Sequence, residues 1–228
     1  MAEVTAGGDR GRMSPRKREI LRAAARLFHE KGYTACSIQD VADEVGILKG
    51  SLYYYIDSKE DLLFDIVEDV HRESLANLER WQRIEGTALV KLRAFIEGHV
   101  QSNVNNLIGI GVFFQDFRSL SPERRAQIIE KRDVYDRFLR QLISQGQREG
   151  VIDEQVNVKL AAMALLGMMN WLYQWYRLDG QSDPAAVARE FADLALSGLA
   201  VREDQPRQAI GALPEGFERV VEDGPSSG

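Results

Sequence analysis

Between Ser37 and Lys59 the chain reads SIQDVADEVGILKGSLYYYIDSK, a run whose polar residues are of the kind that meets nucleic acid. Lys49 is the one basic residue near its centre and suits guanine O6/N7 or a phosphate. Ser51 offers a hydroxyl to a phosphate or a base edge, and Gly50 lets backbone approach a duplex closely. Tyr53, Tyr54 and Tyr55 cannot all lie on one buried stripe of a helix, because adjacent residues point in different directions. Enzymatic chemistry is poorly served by comparison. His29, His71 and His99 have no metal-site spacing, and no G-x-S-x-G nucleophile turn is present. His99 with Asp116 could hold a metal or polarise a ligand, but a hydrogen-bonded core histidine accounts for it more simply. Gly109 and Gly111 follow no strand and precede no Gly-Lys-Ser/Thr, so they make no phosphate loop. No catalytic residue, metal or cofactor is expected.

The elements that must position these groups are legible in the caps. Ser37 with Asp40 forms a capping box, Ile38, Val41, Ala42 and Val45 give one apolar face, and Gly46 stops the helix. A second short helix is expected from about Leu48 to Ile56, with Leu52 and Tyr53 inward. Ser58 with Asp61 caps a third. Two short helices around a Gly turn are the geometry of a helix-turn-helix, which sets its second helix in the major groove. Ahead of them, Ser14-Pro15 starts a helix with Ile20, Leu21, Ala24, Leu27 and Phe28 inward, ending at Gly32. Arg16, Lys17 and Arg18 crowd its start against the helix dipole, which either phosphate contact or a solvated face would explain.

Ser37, Asp40-Val41-Ala42, Gly46-Ile47, Gly50-Ser51-Leu52-Tyr53-Tyr54-Tyr55 and Ser58-Lys59-Glu60-Asp61-Leu62 together resemble the DNA-binding domain of the TetR family of bacterial transcriptional regulators. Ile56, where the family usually has Phe, keeps its position apolar. The resemblance implies an all-α fold. Its parts are an N-terminal arm (1–13), a three-helix DNA-binding domain (14–60), a helical ligand-binding and dimerisation domain (61–201) and a tail (202–228), arm and tail both lacking periodicity. It implies Tyr53 in the core, Tyr54 and Tyr55 on the DNA backbone and Lys59 on a phosphate. Ser37, Gln39, Leu48, Lys49, Gly50 and Ser51 complete the expected DNA surface, and Arg10 and Arg12 could lie along DNA. It further implies a cytoplasmic, nucleoid-associated homodimer that reads a palindromic operator and is released by a small molecule. Asn170-Trp171, Trp175-Tyr176-Arg177 and Asp179-Gly180 are similar to a TetR subgroup that includes repressors of fatty-acid and steroid catabolism. That points to a hydrophobic effector, an acyl group or its coenzyme A thioester.

The remaining chain reads as helices that could house such a guest. Leu62, Leu63, Ile66, Val67 and Val70 line a long helix from Lys59 to about Trp81, a lever between DNA module and body. Helices follow over Leu89 to Asn105 and from Ser121-Pro122 to about Glu149, with an apolar Phe- and Gly-rich segment between them from Leu107 to Leu120. The expected pocket residues are Phe95, His99, Phe113, Phe114, Phe117, Tyr135, Phe138, Met163, Leu166, Asn170 and Trp171. Arg118, Arg124, Arg125 and Arg132 form a basic cluster that could meet phosphates at its mouth. Leu160 to Tyr176 is apolar on nearly every face, so one side should meet the interior and the other a second subunit. Trp175, Tyr176, Phe191, Leu194 and Gly198 are the expected dimer contacts. Residues 10–60 carry ten Lys/Arg against seven Asp/Glu, and the rest of the chain 19 against 28, so a basic end sits on an acidic body. The single cysteine, Cys36, excludes an internal disulfide, and no apolar run is long enough for a membrane span. A DNA-binding architectural dimer without a ligand would need only the packed core and the dimer face.

Overall fold

The computed structural model describes residues 13–180 and 182–201; the arm before Met13, with Arg10 and Arg12, and the tail from 202 lie outside the described residues. Helix α1 (Pro15–Lys31) starts where Ser14 Oγ accepts the Lys17 N–H at 3.2 Å. It buries Ile20, Leu21, Ala24, Leu27 and Phe28. Helix α2 (Ile38–Glu44) opens on a complete Ser37/Asp40 capping box. After it Gly46, at φ 68°, takes the left-handed turn that L side chains resist, and the Ile47 N–H returns to the Ala42 carbonyl at 3.0 Å.

The next helix, α3 (Lys49–Leu52), is one turn long, and 53–55 form a turn instead of continuing to Ile56. No side chain caps its start, where the Ser51 N–H bonds back to the Leu48 carbonyl at 2.9 Å. Tyr53 is therefore not core. Leu52 and Ile56 fill the interior and Tyr53 stands half exposed.

Helix α4 (Lys59–Gln82) begins at the Ser58/Asp61 capping box and runs out of the DNA module into the body. There it meets α5 (Ala88–Asn105), α6 (Leu107–Asp116) with a 3-10 turn at Phe117–Ser119, and α7 (Pro122–Arg148). The expected all-apolar helix over Leu160 to Tyr176 is instead two, α8 (Val158–Asn170) and α9 (Leu172–Trp175), joined at Trp171. Leu165, Met169 and Leu172 are buried and Leu160, Met163, Trp171 and Trp175 are exposed, so the segment has an inward and an outward side. Helix α10 (Pro184–Leu199), capped by Asp183, lays Ala188, Ala192, Ala195 and Leu199 against the body. Among the described residues the only strand-like pairing is an isolated bridge between Ile152 and Ala200.

Two apolar cores result, and the division between them does not follow the division between module and body. The first joins α1–α4 to Val112, Phe113, Leu120 and Ile128, all body residues. The second lies between α5, α7, α8 and α10. Helix α6 reaches the first core by passing very close to its neighbours. A Cβ at Gly111 would lie 2.7 Å from His29 Nδ1 on α1, and one at Gly109 would lie 3.0 Å from Val70 Cγ2 on α4. Polar ties run along the same seam. The Tyr33 N–H donates to Asp116 Oδ2 (3.3 Å), the Ser121 N–H donates to Glu60 Oε1 (2.9 Å), and Arg124 and Lys131 of α7 pair with Asp61 and Glu68 of α4. These groups are partly solvated, so each ion pair contributes little, and the apolar contact carries most of the seam.

Gly111→Ala should cost about 1–3 kcal/mol, because the methyl group must displace His29. Urea unfolding should show that cost shrinking in a His29→Ala background, as it does for residues in direct contact.

Candidate nucleic-acid interface and effector cavity

The turn built on α3 projects from the module. Leu48 is 80% exposed and Tyr54 88%, and Lys49 and Gly50 beside them are also exposed. A Cβ at Gly50 would meet nothing, so the surface there is open. Ser51 is half-buried. Tyr55 is half-buried as well, packed against the module's core, while Tyr53 stands further out than Tyr55. Ser37 and Gln39 are exposed but engaged. Ser37 Oγ lies 2.5 Å from Asp40 Oδ2, and Gln39 Nε2 donates to Asp43 at 2.7 Å. Hydrogen bonds from Ser37, first its side chain and then its backbone, hold the Asp40 carboxyl down at about 2. Lys59 Nζ donates to the Thr34 carbonyl at 3.4 Å and sits 4.2 Å from the centre of the Tyr33 ring, so it must swing out to reach a phosphate. Of the basic cluster at the start of α1, Arg16 donates to the Val45 carbonyl (2.9 Å) and Lys17 pairs with Asp65 (2.8 Å). Both hold the module together.

In the body, a cavity of about 430 Å³ opens between α4, α5, α6, α7 and α8. That lies within the range of roughly 300–1,000 Å³ usual for small-molecule sites. His99, Phe113, Phe114, Tyr135, Met163, Leu166 and Asn170, all expected from the sequence, line it. Four expected residues do not. Phe95 lies beneath the floor, stacked on His99 with ring centroids 6.0 Å apart, and Phe138 is in the body's core. Phe117 packs against the module's core, and Trp171 is 60% exposed. Of the basic cluster only Arg132 reaches the lining. Arg124 is drawn away to Asp61 and Glu60, acids of α4 that a reading along the chain cannot bring beside it.

Sequence reasoning missed the wall supplied by α4: Val70, His71, Ser74 and Leu75. His71 stands four residues after Val67 on the apolar stripe, and that spacing was the available signal. It also missed Lys131 and Arg140 on α7, which pair with Glu68 and, at 2.6 Å, with Asp136.

The polar groups of the cavity are neutral where they are deepest. His99 is fully enclosed, and burial pushes its pKa down to about 4. Its Nδ1 bonds the Tyr135 hydroxyl, and its Nε2 lies 2.9 Å from Asn170 Oδ1. Burial also raises the Tyr135 phenol well above its usual range and lowers His71, whose Nδ1–H donates to the Val67 carbonyl at 2.8 Å. Asp116 is not near His99; it serves the Tyr33 N–H instead, and no metal-holding group occurs among the described residues.

The expected dimer residues divide in the same way. Leu194, Trp175 and Gly198 are exposed, and Phe191 stacks on Trp175 with centroids 6.3 Å apart. Tyr176 is a correction: it is buried in its own subunit's core, where its hydroxyl donates to the Ser182 carbonyl at 2.8 Å.

Residues 20–66 match the family model described as bacterial regulatory proteins of the tetR family, and residues 85–199 match the tetracyclin repressor-like C-terminal domain. The chain belongs to the TetR family. This TetR-family chain is thus a transcriptional regulator and not an enzyme. It is 28% identical over 193 residues to the HTH-type transcriptional repressor KstR2 of Rhodococcus jostii, covering 82% of this chain and 92% of that one. Among solved structures it is similar to the TetR-family regulator PfmR of Thermus thermophilus, with 37% identity, TM-score 0.74 and 80% and 99% of the two chains covered. It is also similar to AibR in complex with isovaleryl coenzyme A and operator DNA, with 29% identity, TM-score 0.70 and coverage of 81% and 98%. No helix among the described residues is long and apolar enough to cross a membrane.

Because unfolded His99 takes up its proton near pH 6.5 and the folded residue only near 4, stability should fall as the pH drops through that window. The loss is at most about 1.4 kcal/mol per pH unit for one proton. Urea unfolding at pH 7 and pH 5 should show a smaller loss in His99→Gln than in the parent chain. The depressed His71 adds to the loss in both.

Proposed function

We propose that this TetR-family regulator is a homodimeric repressor, released from a palindromic operator when an apolar acyl group, carried as a coenzyme A thioester, enters the body cavity. The observation that carries the proposal is the double use of α4 and α6. Both wall the cavity, through His71 and Phe113 among others, and both pack the DNA module's core, through Leu63 and Val112. A guest that alters their spacing therefore changes how far apart two recognition turns are held. Operator affinity then falls by as much as the ligand favours the altered state. The similar repressor KstR2 supports repression, and the similar regulator AibR, solved with isovaleryl coenzyme A and operator DNA, supports this effector class. So does the lining itself, with Phe113, Phe114 and Leu166 inside and Arg132 at the wall for a phosphate.

On the DNA side, Leu48, Lys49, Gly50, Ser51 and Tyr54 form the contact surface, with Ser37, Gln39, Tyr55 and Lys59 at its border. On the dimer side, α8, α9 and α10 with the Trp171 junction present Leu160, Met163, Trp171, Trp175 and Leu194 as exposed apolar side chains of the kind that mark an interaction surface. Two such faces would meet as a four-helix interface, closed by a two-fold axis matching the operator's symmetry.

Fluorescence anisotropy with the protein's own operator tests the reading. Isovaleryl-coenzyme A or octanoyl-coenzyme A should release the DNA. Failure of an acyl-coenzyme A panel, with native mass spectrometry finding no adduct on the purified dimer, would favour the ligand-independent dimer. Tyr54→Ala should weaken operator and unrelated DNA alike, as loss of a backbone contact does. Lys49→Ala should change the preferred sequence, with about 1–3 kcal/mol lost at the base it reads. Leu194→Arg should give a monomer by native mass spectrometry and lose operator binding.

A further inference from the structure

The polar cluster at the end of the cavity has a direction, and one backbone carbonyl fixes it. Asn103 lies buried with its Nδ2 3.2 Å from the Met169 carbonyl, an oxygen that can only accept. Its amide nitrogen is thereby identified, and the atom of Asn170 that the same nitrogen approaches at 3.4 Å must be the acceptor, Oδ1. His99 Nε2, 2.9 Å from that oxygen, must carry a hydrogen. A neutral imidazole with its proton on Nε2 has a lone pair on Nδ1, so Tyr135 donates its hydroxyl hydrogen there. The order is Tyr135 to His99 to Asn170, with Asn103 converging on the same oxygen. Everything in the cluster donates toward Asn170 Oδ1. Its Nδ2 meets no acceptor among the described residues, and Asn170 lines the cavity.

We infer that the Asn170 carboxamide is the hydrogen-bond donor that recognises a carbonyl oxygen of the effector, and that His99, Tyr135 and Asn103 are positioning residues that keep it facing the guest as a donor. The inference deepens the effector reading above and rests on it. It adds that the guest is selected for an acceptor oxygen lodged beside Asn170 within an otherwise apolar wall. A saturated chain of the same length leaves two N–H groups unpaired in the cavity, which is where the discrimination arises. The opposite orientation of Asn170 would set its nitrogen against the Asn103 nitrogen, donor facing donor, and would require the other tautomer of His99. The cavity therefore offers a fixed polarity at this end.

Octanoyl-coenzyme A and its thioether analogue S-octyl-coenzyme A differ only in the carbonyl oxygen, and calorimetric titration of the intact protein with each reads the contact directly. The parent chain should bind the thioester about tenfold more tightly than the thioether. Asn170→Leu should bring the two affinities together, mainly by weakening the thioester. Equal affinities in the parent chain, or an undiminished preference in Asn170→Leu, would overturn the assignment. Binding of neither compound by a protein that still holds its operator would remove the coenzyme A effector itself, and with it this inference. A second reading is independent of any ligand. The ¹⁵N spectrum of the His99 ring at pH 7 should show hydrogen on Nε2 and a bare Nδ1, and the reverse tautomer would overturn the direction of the chain.

Discussion

Helix α6 can pass between α4 and α1 only because two of its positions carry no side chain. At Gly111 the ring of His29 occupies the space a methyl group would need, and at Gly109 the side chains of Asn106 and Val70 do. That close approach lets Val112 and Phe113 reach the core of the DNA module. It also leaves the other side of the same helix free to wall the cavity with Ile110 and Phe114. Phe113 itself belongs to both, lying edge-on to His71 in the cavity with ring centroids 4.8 Å apart. Packed interiors deform in discrete steps, so two cores that share a helix cannot be rearranged separately.

Electrostatics divides the molecule differently. Four cations of α1 and α7, Arg16, Lys17, Arg124 and Lys131, are engaged within the chain by Val45, Asp65, Asp61 and Glu68. The projecting turn itself carries a single cation, Lys49. The cavity, by contrast, holds its titratable groups neutral at depth and its charges at the wall. A neutral polar cluster in an apolar enclosure discriminates by geometry, since an unmatched donor there has no water to turn to.

Helix starts were legible in the sequence because caps are local. Ser14-Pro15, Ser37 with Asp40 and Ser58 with Asp61 each satisfy a backbone group three residues away, and each stands where it was expected. The inward faces of α1 and α4 followed from periodicity for the same reason. The short recognition turn did not, because helical spacing from Leu48 to Ile56 is equally compatible with a single turn followed by a packed Tyr55. Half of the cavity depended on which face of α4 meets α7, a pairing across more than sixty residues that leaves no local mark. His71, Lys131 and the diversion of Arg124 to Asp61 all belong to that class. Tyr176 looked like a partner of Trp175 on one surface. The chain leaves helical conformation at Tyr176, whose ψ of 135° turns the ring back into its own subunit.

The shared core also bears on how such regulators can be recombined. The two family models leave a gap from 67 to 84, which takes in most of α4 and the turn after it, and that gap invites a cut for grafting one regulator's sensor onto another's reader. In this chain such a cut would leave Val112, Phe113, Leu120 and Ile128 facing a foreign module, and His29 facing whatever residue replaced Gly111. A workable chimera would have to carry the matching surface of α1 along with the sensor, so the unit of exchange is larger than the unit of sequence similarity.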